Sequence, residues 1–155
     1  MSSIRLSYAT LSPNVFRGMA SAGAALEESP LGKQLIDLVY LRVSQMNGCA
    51  YCVDLHARDL LRLGEDFQRI NSLATWRETT FYTERERAAL AWAEAVTNLA
   101  DGHVPEHVFR ALQEHFSDRE IADLGFAVAL MNGWNRLAIS FRQPVPKAPL
   151  TTSST

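Results

Sequence analysis

Long apolar runs are missing from this 155-residue chain; none approaches the ~20 residues that cross a bilayer, so no membrane-spanning segment is expected. An excess of basic charge is missing too. The 15 basic and 17 acidic residues leave a formal net charge of -2, whereas a nucleic-acid binder shows a basic excess or stripe. The first residues, Met1-Ser2-Ser3-Ile4-Arg5, lack a charged segment followed by a continuous apolar one, so no secretory signal is read and a cytoplasmic protein is expected. Period-two alternation of apolar and polar residues is scarce, which argues against strands. Cysteine is scarce as well, with two in the chain. In a reducing compartment a lone, closely spaced pair points to redox or metal chemistry rather than to a structural staple.

What is present is concentrated in eight residues, Cys49-Ala50-Tyr51-Cys52-Val53-Asp54-Leu55-His56. On a helix, positions three and four apart share a face, so Cys49, Cys52 and His56 would form one stripe. Asn47-Gly48 ahead of them is a helix-stop signal, and no Gly or Pro follows until Gly64. Cys49 is therefore expected at a helix start. Free backbone N–H groups and the positive end of the helix dipole favour a thiolate there, while His56 stands one turn beyond Cys52 and can take its proton. These two influences favour different cysteines, and the residues alone leave open which one attacks a substrate. Either thiolate can attack an intermediate held on its neighbour and close a short disulfide.

The remainder reads as helices between recognisable stops. An Ala-rich helix is predicted from about Val15 to Glu28, followed by one over Leu31 to Met46 that opens at Ser29-Pro30. The Cys49 to Leu63 helix comes next, then a short one over Glu65 to Leu73 and a connection from Trp76 to Tyr82. Thr83-x-x-Glu86 is a capping box opening a helix through Leu99, which Asp101-Gly102 closes. Pro105 begins a helix to Phe116, and Ser117-x-x-Glu120 is a second capping box opening a long apolar helix toward Phe141. The expected architecture is an all-α single domain over residues 1–143, its core spanning about 31–142. Residues 144–155, with three prolines and a Thr/Ser-rich end, are expected to form a flexible tail or an arm gripping another subunit.

The CxxCxxxH arrangement, preceded by Leu41-Arg42-Val43-Ser44-Gln45-Met46-Asn47-Gly48, resembles the AhpD-like alkylhydroperoxidases of the carboxymuconolactone decarboxylase superfamily. Thr83 to Trp92 and Asn132 to Ala138 are similar to two further family segments. The resemblance implies an oligomeric helical domain, a trimer or hexamer, and a peroxiredoxin-type alkylhydroperoxidase that needs no haem, flavin or metal. It implies that Cys52 attacks a peroxide to give a sulfenic acid, that Cys49 resolves it to a disulfide, and that His56 shuttles the Cys52 proton. The fourth member is an acid twelve positions before the first cysteine, which here is Asp37 where the family usually has glutamate. Being one methylene shorter, Asp37 is expected to reach His56 through a water or a shifted helix. An external dithiol, a lipoylated protein among the candidates, would reduce the disulfide.

Other readings compete. Cys49, Cys52, His56 and Asp37 are four ligands of types zinc accepts, although C-x2-C-x3-H is tighter than common zinc spacings. The same cysteine pair also suits a thiol-disulfide reductase or redox sensor with little peroxide turnover. Lactone decarboxylation would leave the CxxC without a task. His103 and His107 are read as ordinary exposed residues because Pro105 separates them, and His115 as a partner of a helix C-terminus. Trp76, Trp92 and Trp134, with Phe81, Tyr82, Phe126 and Phe141, are read first as core or interface and second as pocket walls. Glu84 to Arg87 is read as a solvated helix start, and Asn132, Asn135 and Arg136 as organisers of helix packing or of bonds across subunits.

Overall fold

The structure, a computed structural model, describes residues 4–149. Among them there are eight α-helices and no strand: α1 (Tyr8–Leu11), α2 (Pro13–Glu27), α3 (Lys33–Asn47), α4 (Ala50–Arg62), α5 (Phe67–Ser72), α6 (Glu84–Thr97), α7 (Glu106–Gln113) and α8 (Asp118–Phe141). Short 3-10 turns cover Leu73–Glu78 and Leu99–Asp101. The all-α expectation holds. No helix among the described residues is long and apolar enough to cross a membrane.

The helix starts show why the chain breaks where it does. Thr83 and Ser117 each accept a bond from the backbone N–H three residues on, and the Glu86 and Glu120 carboxylates accept one from the cap's own backbone N–H, so both expected capping boxes are formed. Pro105 caps α7 as expected. The start of α3 differs from the sequence reading: Ser29-Pro30 does not open it. Gly32 adopts a positive φ of 83° and caps the helix, so α3 begins at Lys33. The Ser29 hydroxyl instead donates to Asp123 Oδ2 at 2.6 Å, tying this turn to α8. The four-residue helix α1 was not expected, since one turn carries too little periodicity to read.

Helix α3 runs through the centre, packed against α4, α6 and α8. Its apolar residues divide between two buried clusters. Ile36, Val39, Tyr40 and Val43 pack in one with residues of α6, α7 and α8, and Leu38 and Leu41 pack in the other with Leu60, Leu73, Trp76 and Leu90. A helix buried on opposite faces has no solvated side to spare, which explains why the polar Asp37 and Ser44 are inside as well.

Polar bonds fix the end of α3 to α8. Asn47 Nδ2 donates to Asn132 Oδ1 and Asn135 Oδ1, both at 2.9 Å, while Asn135 Nδ2 donates to Ser44 Oγ at 3.0 Å. Asn132 and Asn135 thus organise packing within the chain, and Arg136 donates to the Asn132 carbonyl at 3.0 Å. Asn135 is fully buried. Asn135→Ala would strand Ser44 and part of Asn47 without partners, and is expected to lower unfolding free energy by about 1–3 kcal/mol. Urea titration checks this; an unchanged midpoint would count against the network.

The expected tail begins without helix, and the Arg58 guanidinium donates to the carbonyls of Ala148 at 2.7 Å and Pro149 at 3.2 Å. The rest of that tail, residues 150–155, lies outside the described residues.

Candidate active site

A single tight corner sets up the two cysteines. Gly48 adopts the left-handed conformation (φ 70°, ψ 30°), and the Cys49 N–H reaches back to the Ser44 carbonyl at 3.0 Å, closing α3. Cys49 then caps α4 with extended backbone, and the Cys52 backbone N–H donates to Cys49 Sγ at 3.3 Å. The expectation that Cys49 stands at a helix start is met. An N–H aimed at that sulfur favours its anionic form.

Cys49 and Cys52 are joined as a disulfide, their Cα atoms 5.4 Å apart. Both are buried. His56 follows one turn after Cys52 and is also buried, so the inward face of α4 carries Cys52, His56 and Leu60 in succession. Asp37 meets this face from α3. Its Oδ1 lies 3.4 Å from His56 Nδ1, yet Nδ1 makes no hydrogen bond: the groups are close enough to attract but not aligned to share a proton. The four residues read from the sequence are therefore gathered at one place, with the short acid within ion-pair distance of His56 but out of line with its Nδ1.

Two neighbours of this group were not read from the sequence. Lys33 Nζ donates to Asp37 Oδ2 at 2.9 Å and lies 3.4 Å from Glu27 Oε1. Burial alone would lower the Lys33 pKa, but the bond to Asp37 and the charges of Asp37 and Glu27 outweigh it and raise it. The lysine stays cationic and bonds Asp37 Oδ2 while Oδ1 faces His56. The spacing of four between them was the available signal. Tyr40, one turn after Asp37, places its ring 5.1 Å from the His56 ring.

Of the zinc set read from the sequence, Cys49 and Cys52 are paired with each other in this structure. The ligand atoms that do converge, within 4.8 Å of one another, belong to Asp37, His56 and Asp59. Lys33 already bonds the first of these and Arg62 Nη1 the last, at 2.8 Å.

The two cysteines line different cavities, which have Tyr51, Ala138 and Gln143 in common. Cys52 and His56 line a cavity of about 480 Å³ whose other walls include Tyr40, Tyr51, Met131 and Trp134. Cys49 lines a smaller one of about 200 Å³ beside Gly48, Ile139 and Arg142. Of the aromatics singled out in the sequence, Trp134 alone reaches the larger cavity; Trp76 and Tyr82 are core, and Phe126 is exposed. Tyr8 and Phe16 line it instead, from the helices preceding α3. His103 and His107 are exposed, with His103 outside regular helix at a φ of 60°.

Residues 13–95 match the profile of the carboxymuconolactone decarboxylase family. The uncharacterized protein YdfG of Bacillus subtilis is 35% identical over 136 residues, covering 88% of this chain and 92% of YdfG. A crystal structure of an Agrobacterium tumefaciens protein of unknown function, suggested to be the antioxidant defence protein AhpD, superposes with a TM-score of 0.91 at 40% identity, over 94% of this chain and all of that one. An uncharacterized peroxidase-related protein from Ralstonia eutropha with an alkylhydroperoxidase AhpD core gives a TM-score of 0.78 at 26% identity, over 88% and 73% of the two chains.

Proposed function

Because this chain belongs to the carboxymuconolactone decarboxylase family as an AhpD-like member, we propose that it is a thiol-dependent peroxidase working through Cys52, Cys49, His56 and Asp37. The observation that carries the reading is the placement of Cys52 and His56 on the wall of one apolar cavity, with Cys49 within disulfide reach but not among the residues that line it. That placement supports Cys52 as the sulfur met by peroxide.

In the reduced protein His56 takes the Cys52 proton. The thiolate attacks the terminal oxygen of the peroxide; the S–O bond forms as the O–O bond breaks, and the departing oxygen takes up the proton held by His56. Cys52 becomes a sulfenic acid and the peroxide an alcohol or water. Cys49, whose anion the Cys52 N–H supports, then attacks the Cys52 sulfur, forming the disulfide and releasing water. An external dithiol, for which a lipoyl group is the proposed class, reduces it by two successive exchanges and returns both thiols. Asp37 acts through His56, positioning the ring.

The misaligned contact at Asp37 supplies a test. Asp37→Glu gives the carboxylate the reach to turn into line with His56 Nδ1, and is expected to speed Cys52 oxidation several-fold in single turnover. A slower or equal rate would show that the relay does not depend on that contact. We also propose assembly with further copies of this chain, supported by the exposed apolar residues Val15, Phe67 and Phe126; light scattering would show a trimer or hexamer.

A further inference from the structure

Cys49, Cys52 and His56 follow one another along the inward stripe of α4, three and then four residues apart. The Cys49 and Cys52 Cα atoms are 5.4 Å apart, and the Cys52 N–H is donated to Cys49 Sγ at 3.3 Å. An N–H aimed at a sulfur supports its thiolate, the form that ligates a metal. The two ring nitrogens of His56 have different surroundings. Nδ1 is shut in and faces Asp37 Oδ1 at 3.4 Å, while the ring lines the large cavity beside Cys52, so Nε2 is the nitrogen left for a ligand there. A carboxylate behind one nitrogen, with the other free, is the usual setting of a metal-ligating histidine.

The surroundings restrict which ion can sit among these groups. The walls of the large cavity hold no Lys, Arg, Asp or Glu side chain, so a divalent charge brought there must be neutralised by the two thiolates themselves. Arg142 lines the smaller cavity at Cys49, which leaves the larger one as the way in for a cation. Two sulfurs and an imidazole nitrogen are the donors of a zinc site that keeps its fourth position open, and soft thiolates discriminate against calcium and magnesium. Asp37, His56 and Asp59 offer a rival set, their ligand atoms within 4.8 Å of one another. Lys33 Nζ and Arg62 Nη1 already bond its two carboxylates, at 2.9 and 2.8 Å, so a cation there would meet two positive charges.

We propose that the reduced chain binds one zinc ion through Cys49 Sγ, Cys52 Sγ and His56 Nε2, with a water in the fourth position on the cavity side, and that closing the disulfide expels it. Asp37 stands behind His56 and does not touch the metal. On uptake the two S–Zn bonds form as the two thiol protons pass to solvent. Expulsion takes a two-electron oxidant, for which a small-molecule disulfide R–S–S–R serves. Its S–S bond breaks, its sulfurs take two electrons from the thiolates and two protons from solvent and leave as two R–SH, the Cys49–Cys52 bond forms, and the ion departs as Zn2+. No peroxide enters these steps, so the assignment stands apart from the peroxidase reading. Where both hold, zinc occupies the sulfur that peroxide would attack.

The test uses the full chain, reduced and stripped of metal, titrated with zinc against a chromogenic chelator and with Co2+ followed by absorption. The reduced chain is expected to take up one zinc, and its cobalt form to show a thiolate-to-cobalt charge-transfer band with the visible bands of four-coordinate geometry. The disulfide form, prepared with oxidised glutathione, is expected to take up none, and the same reagent added to zinc-loaded protein should release the full equivalent. Zinc bound equally by both forms, or cobalt bound without the charge-transfer band, would overturn the proposal in favour of the carboxylate set. Asp59→Ala separates the two sets again: unchanged zinc affinity is expected, and a clear loss would overturn the assignment. His56→Gln keeps both thiols and is expected to bind zinc more weakly; equal affinity would remove the imidazole from the site. A reduced chain that takes up no zinc overturns the proposal outright, whereas a Cys52 that no peroxide oxidises overturns the peroxidase reading and leaves zinc uptake as it is.

Discussion

Cys52→Ser is expected to lose dithiol-dependent peroxide consumption completely. Serine preserves the size and burial of the side chain but supplies a hydroxyl that His56 cannot ionise appreciably and that peroxide oxygen does not oxidise. Cys49 remains in that variant and retains the backbone N–H of residue 52 beside its sulfur. It does not line the large cavity, however, so its thiolate is expected to leave a bulky hydroperoxide untouched. Cys49→Ser should behave differently: one oxidation per chain goes through, the sulfenic acid stays on Cys52, and turnover stops for want of a resolving thiol. If Cys52→Ser consumed peroxide at the unaltered rate, the attacking sulfur would have to be Cys49 and the division of the two cavities would have no chemical meaning.

His56→Gln is expected to slow Cys52 oxidation at neutral pH by about 10²–10⁴-fold, the range for loss of a positioned acid–base group. The effect should shrink as pH rises. With His56 present, Cys52 has a base one turn away; without it, the thiol must lose its proton to solvent, which becomes easier as the solution turns alkaline. Rate against pH therefore separates a base from a packing group. A His56→Gln deficit that stays constant into alkaline solution would mean that the imidazole shapes the cavity rather than moving the proton.

Much of the fold could be read from punctuation in the chain. The capping boxes at Thr83 and Ser117 and the glycines at 48, 64 and 102 mark breaks that short-range backbone chemistry sets, and these stand where local reasoning puts them. The error at α3 has a local cause of another kind. Ser29-Pro30 and Gly32 are rival start signals three residues apart, and the hydroxyl that would have capped the helix found a better partner in Asp123, 94 residues away. No local rule weighs a bond at that distance.

The candidate site divides in the same manner. Cys49, Cys52 and His56 lie within two turns of one helix, so periodicity alone puts them together. Asp37 lies on another helix and was found through family resemblance. Lys33 and Tyr40 share a face of α3 with Asp37, but that face also holds ordinary core residues such as Ile36 and Val43. Only the packing of α3 against α4 and α8 shows that Tyr40 ends on a cavity wall with its hydroxyl unpaired.

The most direct measurement is single-turnover oxidation of the fully reduced chain by cumene hydroperoxide and by hydrogen peroxide, with the products located on Cys49 and Cys52 by mass spectrometry. The predicted result is a transient sulfenic acid on Cys52, its conversion to the Cys49–Cys52 disulfide, and a faster reaction with the organic peroxide. A sulfenic acid first on Cys49, or thiols that survive both peroxides unchanged, would contradict the account.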